Sequence, residues 1–227
     1  MKNLKETIDR DGFVLMPKVI EAREVDRFTR ALERTTHKKA AGIRDLLNCF
    51  PWTRAVAEGK SIRPLVDPIL GVQARVVRAI YFDKNKDANW KVTWHQDLTI
   101  AVKKRIEVAG FSAWSYKASI QHVQPPVSIL QNMLSVRLHL DDTDETNGAL
   151  RVLVGSHRFG RLKATEITVW KQQTAEIVCS VPRGGVMLMK PLLLHASSLA
   201  RNPSHRRVLH FEYSAVELPA GLEWYEA

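Results

Sequence analysis

Between Glu21 and Arg34 the residues Val25, Phe28 and Leu32 recur at helical spacing among charged neighbours, which predicts an amphipathic helix with one apolar stripe to bury. Ahead of it, the run Phe13-Val14-Leu15-Met16, flanked by Gly12 and Pro17, reads as a short strand after a polar helix. Ile43 to Leu70 reads as a second helical stretch, broken at Pro51 and Pro64 and closed by Leu70-Gly71. From Gln73 onward the period shortens, and β-branched and aromatic runs alternate with turn signals. The expected strands are Gln73–Phe82, Trp90–Trp94, Ile129–Leu140, Ala149–Val154, Glu176–Val181, Gly185–Leu194 and Arg206–Val216. Residues 98–128 show no clear period, so a lid or substrate loop is expected there, ordered by Phe111, Trp114 and Tyr116. The pattern predicts a mainly β chain: a helical layer over 1–72, then an antiparallel sandwich or jelly-roll barrel over 73–218, within one domain of 1–227.

Composition narrows this further. Among 227 residues, 11 Gly and 10 Pro are spread without a linker, repeat or low-complexity tract, which favours a compact fold. Met1 to Glu6 is charged and leads into no apolar core, so an export signal is not expected. Ala118–Val136 lacks Asp, Glu, Lys and Arg, but it carries Gln121, His122, Gln124, Pro125, Pro126, Gln131 and Asn132 and does not read as a membrane span. Cys49 and Cys179 form neither a disulfide framework nor a CxxC motif, and a reduced, cytoplasmic protein is expected. The net charge of +10 favours anionic partners. Its carriers are dispersed, in short clusters at Lys38-Lys39, Lys103-Lys104-Arg105 and Arg206-Arg207, with no aromatic-basic repeat, which argues against nucleic acid.

Two His-x-Asp segments carry candidate chemistry: His95-Gln96-Asp97 after one strand, and His139-Leu140-Asp141 at the end of another. Residues two apart in a strand share a face, so either pair supplies two ligands of a 2-His-1-carboxylate site for Fe(II). His195 ends the apolar run from Val186 and precedes Ala196-Ser197-Ser198, which suits a third ligand at a site rim. Arg206 follows eleven residues later, and its planar fork suits the far carboxylate of a dicarboxylate cosubstrate. Taken singly, a strand-end histidine is more often structural and a strand arginine more often solvated.

Several motifs in order change that weighting. Asp11-Gly12-Phe13-Val14-Leu15, Trp94-His95-Gln96-Asp97, Leu140-Asp141-Asp142, Asn147-Gly148-Ala149-Leu150, Gly155-Ser156-His157-Arg158, Leu194-His195-Ala196-Ser197-Ser198 and Arg206-Arg207-Val208-Leu209-His210 together resemble the phytanoyl-CoA dioxygenase family. The likeness spans nearly the whole chain. It implies a double-stranded β-helix and an enzyme using Fe(II), 2-oxoglutarate and dioxygen to hydroxylate an unactivated C–H bond of a small molecule, releasing succinate and CO2. It also implies that His95, Asp97 and His195 are the metal ligands, that Arg206 and Ser197 bind 2-oxoglutarate, and that His139 and His157 stay off the metal. Val154 stands where the family often has proline, which bears only on the local turn. For the substrate, an anionic small molecule suits Lys103, Lys104, Arg105 and Lys117, with Trp114, Tyr116 and His122 as candidate contacts. A non-catalytic cupin-like metal or ligand binder is the alternative, but such a protein has no need of Arg206 and Ser197.

Overall fold

A computed structural model describes residues 4–35 and 42–227; the Lys38-Lys39 cluster lies outside them. Helix α1 (Leu4–Asp11), strand β1 (Phe13–Met16) and helix α2 (Ala22–Thr35) lead to the short β2 (Gly42–Ile43) and the helices α3 (Leu46–Cys49), α4 (Trp52–Ala57) and α5 (Arg63–Leu70). The β region follows: β3 (Arg75–Lys84), β4 (Val92–His95), β5 (Ile100–Val102), β6 (Ser112–Lys117), β7 (Ile120–Gln124), α6 (Val127–Gln131), β8 (Met133–His139) and β9 (Leu150–Leu153). A 3-10 turn at Ser156–Phe159 and helix α7 (Ala164–Gln173) precede β10 (Glu176–Val178), β11 (Val186–Met189), β12 (His195–Ser197) and β13 (Arg206–Ser214).

The strands form three antiparallel sheets, ordered β1-β11-β8-β13-β3-β2, β10-β9-β12-β4 and β5-β7-β6. Alternation along β13 shows how the layers are built. Leu209, Phe211 and Tyr213 point out to meet Val25, Phe28, Leu32 and Val66 of the helical layer in one apolar cluster, while Arg206, His210 and Glu212 line the cavity on the opposite face. Tyr213 is fully buried and its hydroxyl donates to the Ala57 carbonyl at 2.7 Å, fixing α4 to the sheet. A second cluster, including Leu150, Val152, Met187 and Met189, joins the two larger sheets.

Four local expectations are corrected. The second break in the helical stretch falls between α4 and α5, at residues 58–62, a little ahead of Pro64; Pro64 itself lies in the first turn of α5, where its missing N–H costs nothing. Ile129 and Leu130 belong to α6, capped by Pro126, so strand β8 starts only at Met133. The run Gly185–Leu194 is not one strand: β11 ends at Met189, Pro191 cannot extend a ladder, and the chain crosses to the other sheet, where His195 opens β12. Residues 98–128 contain the sheet β5-β7-β6, which packs Ile100, Val102 and Val123 with Phe111, Leu218, Leu222 and Trp224. Among the described residues no helix is long and apolar enough to cross a membrane.

Candidate active site

His95 closes β4 and His195 opens β12, and the two are direct cross-strand partners with ring centroids 4.2 Å apart. The intervening Gln96 turns away: its Nε2 donates to the carbonyls of Gly160 (2.8 Å) and Leu192 (2.7 Å), and its Oε1 accepts from the Leu162 N–H (2.8 Å). With Gln96 anchored on one side, His95 and Asp97 share the other. The Asp97 N–H donates to the Pro191 carbonyl at 2.9 Å, tying this segment to the corner that precedes β12.

The two rings are held in one tautomer. His95 Nδ1 lies 2.9 Å from the Thr93 carbonyl and His195 Nδ1 2.8 Å from the Leu193 carbonyl. A carbonyl only accepts, so each Nδ1 carries a hydrogen and leaves Nε2 with a lone pair. Those Nε2 atoms each stand 3.7 Å from an oxygen of Asp97, too far for a hydrogen bond. One ligand atom from each of His95, Asp97 and His195 falls within 4.8 Å of the others. Burial pushes the His195 imidazole down to about 4. Burial alone would raise Asp97, but His195 and His95 hold its carboxyl far below the usual range. Against the lowering effect of burial, Asp97 raises the His95 imidazole; with that ring deprotonated, two nitrogen donors and one ionised carboxylate, converging without bonding one another, fit Fe(II) and leave further coordination positions open.

The same cavity, about 440 Å³, is lined by Ser197, Arg137 and Arg206, a volume suited to small molecules. Arg206 is 3% exposed, and its Nε and Nη1 have no hydrogen-bond partner among the described residues. Burial, then repulsion from Arg137, lowers its guanidinium to about 10, so it stays charged at neutral pH. Its cross-strand partner is Lys84, fully buried, whose ammonium donates to Ser197 Oγ (2.8 Å) and the Ser198 carbonyl (2.6 Å). Burial, then Arg206, lowers Lys84 to about 8. Ser197 Oγ in turn donates to the Gly148 carbonyl at 2.8 Å. Gly148 has a φ of +82°, and a Cβ there would stand 2.8 Å from both Lys84 Nζ and the Ser198 carbonyl, so this Asn-Gly turn needs glycine to admit the lysine.

The remaining expected site residues separate. Arg207 faces away from the cavity, bonded to Asp141 through Nε (2.9 Å) and Nη2 (2.7 Å) and to Glu33 through Nη1 (2.7 Å). His139 is buried on β8 with Nδ1 2.8 Å from Thr143 Oγ1, and His157 Nε2 lies 3.2 Å from the Asp9 carbonyl. Neither belongs to the three-ligand cluster. Trp114 and Tyr116 are corrected as cavity contacts. They lie on the face of β6 opposite Lys117; Trp114 packs in the core of the small sheet beneath Arg105, and Tyr116 is 73% exposed. His122 is fully covered, with Nδ1 2.9 Å from the Ile120 carbonyl, and it is Gln124, two residues on, that reaches the cavity. Burial, then Arg78, pushes His122 down to about 4. The basic clusters also disperse: Lys103 pairs with Glu223 and Arg105 with Glu107. Arg137, Arg44 and Arg78 on the cavity wall, and Lys84 bonded to Ser197, were not anticipated, because only the register β2-β3-β13-β8 brings them together. Lys84 had one legible signal, its even spacing with Phe82, Ile80 and Arg78 along one strand.

A His-x-Asp pair and a distal histidine set between antiparallel sheets, with a buried arginine on the cavity wall, define the class of Fe(II)- and 2-oxoglutarate-dependent oxygenases on a double-stranded β-helix. Residues 8–208 match the family described as Phytanoyl-CoA dioxygenase (PhyH), and the chain belongs to that family, whose members use iron, 2-oxoglutarate and dioxygen. Among solved structures, EctD from S. alaskensis with bound Fe superposes with a TM-score of 0.74 at 18% identity, covering 100% of this chain and 83% of that one. AviO1 from Streptomyces viridochromogenes Tue57 gives 0.69 at 18%, covering 96% of both chains. SnoK, a non-heme alpha ketoglutarate dependent carbocyclase from nogalamycin biosynthesis, gives 0.71 at 16%, covering 94% and 83%. At these identities the likeness is one of fold. No curated protein sequence matches the chain.

Proposed function

We propose that the protein is a small-molecule hydroxylase in which His95, Asp97 and His195 hold Fe(II), and Arg206 with Lys84 receives the far carboxylate of 2-oxoglutarate. When bound, iron with 2-oxoglutarate and dioxygen supplies the oxidation: one oxygen atom enters the substrate C–H bond and the other enters succinate, with loss of CO2. The chain's own residues bind and orient. The carbonyls of Thr93 and Leu193 fix both imidazoles with Nε2 toward the metal position, which spares the site any reorganisation on loading. Arg206 offers a buried guanidinium whose Nε and Nη1 have no partner, a charge-assisted donor suited to a carboxylate. Ser197 takes a different part from direct donation: its one hydrogen is committed to Gly148, and its lone pair positions Lys84. Phe82, Trp90, Val92 and Leu150 line the cavity and limit water around the reacting groups.

The observation that carries this reading is a metal-fit triad and an unpartnered buried arginine lining one cavity. A non-catalytic binder would bear the cost of burying Arg206 without using it. Hydroxylation is the outcome chosen for this chain, although structures of similar fold include an epimerase and a carbocyclase. The test is an anaerobic titration of the protein with Fe(II) and then 2-oxoglutarate, following the weak visible charge-transfer band of the chelate. Admitting oxygen with a substrate should then give product carrying one added oxygen, in equal amount to succinate. Absence of the band with iron bound would remove the 2-oxoglutarate assignment.

A further inference from the structure

Arg206, Val208, His210 and Glu212 of β13 stand opposite Lys84, Phe82, Ile80 and Arg78 of β3, and of these Arg206, His210, Glu212, Phe82, Ile80 and Arg78 line the cavity. Six residues separate Arg206 from Glu212, about 20 Å of strand, so the cavity has a second end well away from Arg206. There Arg78 donates to Glu212 at 3.0 Å, both side chains being buried, and Glu212 also lies 3.4 Å from His210 Nε2. The negative charge of Glu212 is thereby engaged. Arg44, just past β2, and Lys117, at the end of β6, line the same cavity with Thr99 and Gln124. Arg44 is half-buried and makes no hydrogen bond or ion pair with any described residue; Lys117 has a single long contact, 3.4 Å to Thr99 Oγ1. These two cations come from segments far apart in sequence and are brought together only as lining of this one cavity.

The charge balance points the same way. The lining residues include the cations Arg44, Arg78, Lys117, Arg137 and Arg206 against the carboxylates of Asp97 and Glu212. A ferrous ion and the 2-oxoglutarate dianion cancel, so the loaded cavity keeps an excess of three positive charges. Burial and then Arg78 lower both Arg44 and Lys117, with Arg44 adding to the effect on Lys117. Positive charges in excess of the carboxylates around a cavity cost free energy that a complementary anion would recover. A cavity of this size fits a small acid.

We propose that Arg44 and Lys117 form the substrate's recognition site and bind an anionic oxygen group, a carboxylate or a phosphate or sulfate ester. Arg78, fixed by Glu212, supplies the positive field behind them. The proposal rests on the oxygenase reading above and adds the substrate's chemical class to it.

The test is calorimetric titration of the iron-loaded, 2-oxoglutarate-saturated protein under argon, at constant ionic strength set with chloride. Sulfate serves as the tetrahedral probe and acetate as the planar one. Saturable binding of at least one is expected, weakened about tenfold or more in the Arg44→Gln/Lys117→Gln double variant, as for loss of charge-assisted bonds. Lys117 is exposed, so Lys117→Gln alone keeps the fold intact and should weaken binding about threefold or more. Tighter sulfate would assign a phosphate or sulfate ester; tighter acetate would assign a carboxylate. Binding no better than chloride, or full affinity in both variants, overturns the proposal. Loss of the iron–2-oxoglutarate band in the wild type is a different failure, and it strikes the oxygenase reading.

Discussion

Arg206→Met separates stability from binding. In the metal-free protein Arg206 buries a guanidinium with two unpaired N–H groups beside Arg137 and Lys84, which is an unfavourable site for a charge. Methionine of similar length removes both the desolvation and the repulsion, so the metal-free variant should gain ~1 kcal/mol or more. For a chain of this size that raises Tm by roughly 2–4 °C. Binding should move the opposite way. Losing the partner of a buried carboxylate costs ~2–5 kcal/mol, or about 30-fold to several thousand-fold in affinity. Lys84, left in place, holds the loss toward the lower half. Arg206→Lys should recover part of it, since an ammonium replaces the fork by a point charge. The assay is thermal denaturation of iron-loaded protein with and without 2-oxoglutarate. At 100 times Kd, ligand should stabilise the wild type by ~2.7 kcal/mol and the variant by far less at that concentration. Arg207→Ala is the control: it breaks the contacts to Asp141 and Glu33, so Tm should fall while the ligand-induced shift persists. A lower Tm for metal-free Arg206→Met together with an undiminished ligand shift would mean that Arg206 neither bears a burial cost nor binds the cosubstrate.

His95→Ala, Asp97→Ala and His195→Ala should each lose iron on anaerobic gel filtration while His139→Ala keeps it, measured as iron per chain; the reverse pattern would move the metal to the other His-x-Asp segment. Burial pushes the Glu226 carboxyl up to about 7, against the Leu47 and Ala79 N–H groups that it accepts. The folded chain therefore holds a proton that the unfolded chain releases above about pH 4.5, and stability from this group should fall by up to ~3 kcal/mol as pH rises through 7. Urea denaturation of wild type and Glu226→Ala at pH 5 and 8 checks this, since the variant should be less stable at both yet lose less on going to pH 8; equal losses would sink it. Lys84→Met should weaken 2-oxoglutarate binding about tenfold without releasing iron, read from the chelate band and the iron content; unchanged binding would remove Lys84 from the cosubstrate end.

Much of this was legible in the chain because it is written in local periodicity and short motifs. The stripe Val25, Phe28, Leu32 determines a one-faced helix whatever it packs on, and the two-residue offset in His95-Gln96-Asp97 puts imidazole and carboxylate together wherever that segment lies. Parity along Arg206–Ser214 likewise separates Arg206 from Arg207 before any neighbour is known. Everything that depends on which strands are adjacent came from the packed fold. Period-two patterning says that a strand has two faces, not which strand lies beside it. Lys84 opposite Arg206, His95 opposite His195, and Arg44 sharing one cavity with Lys117 are all products of register and sheet order. The corner at Pro191 and the small sheet within 98–128 escaped for the same reason. A change of sheet leaves the apolar run unbroken, and strands that pack with the distant Trp224 need no clear period of their own.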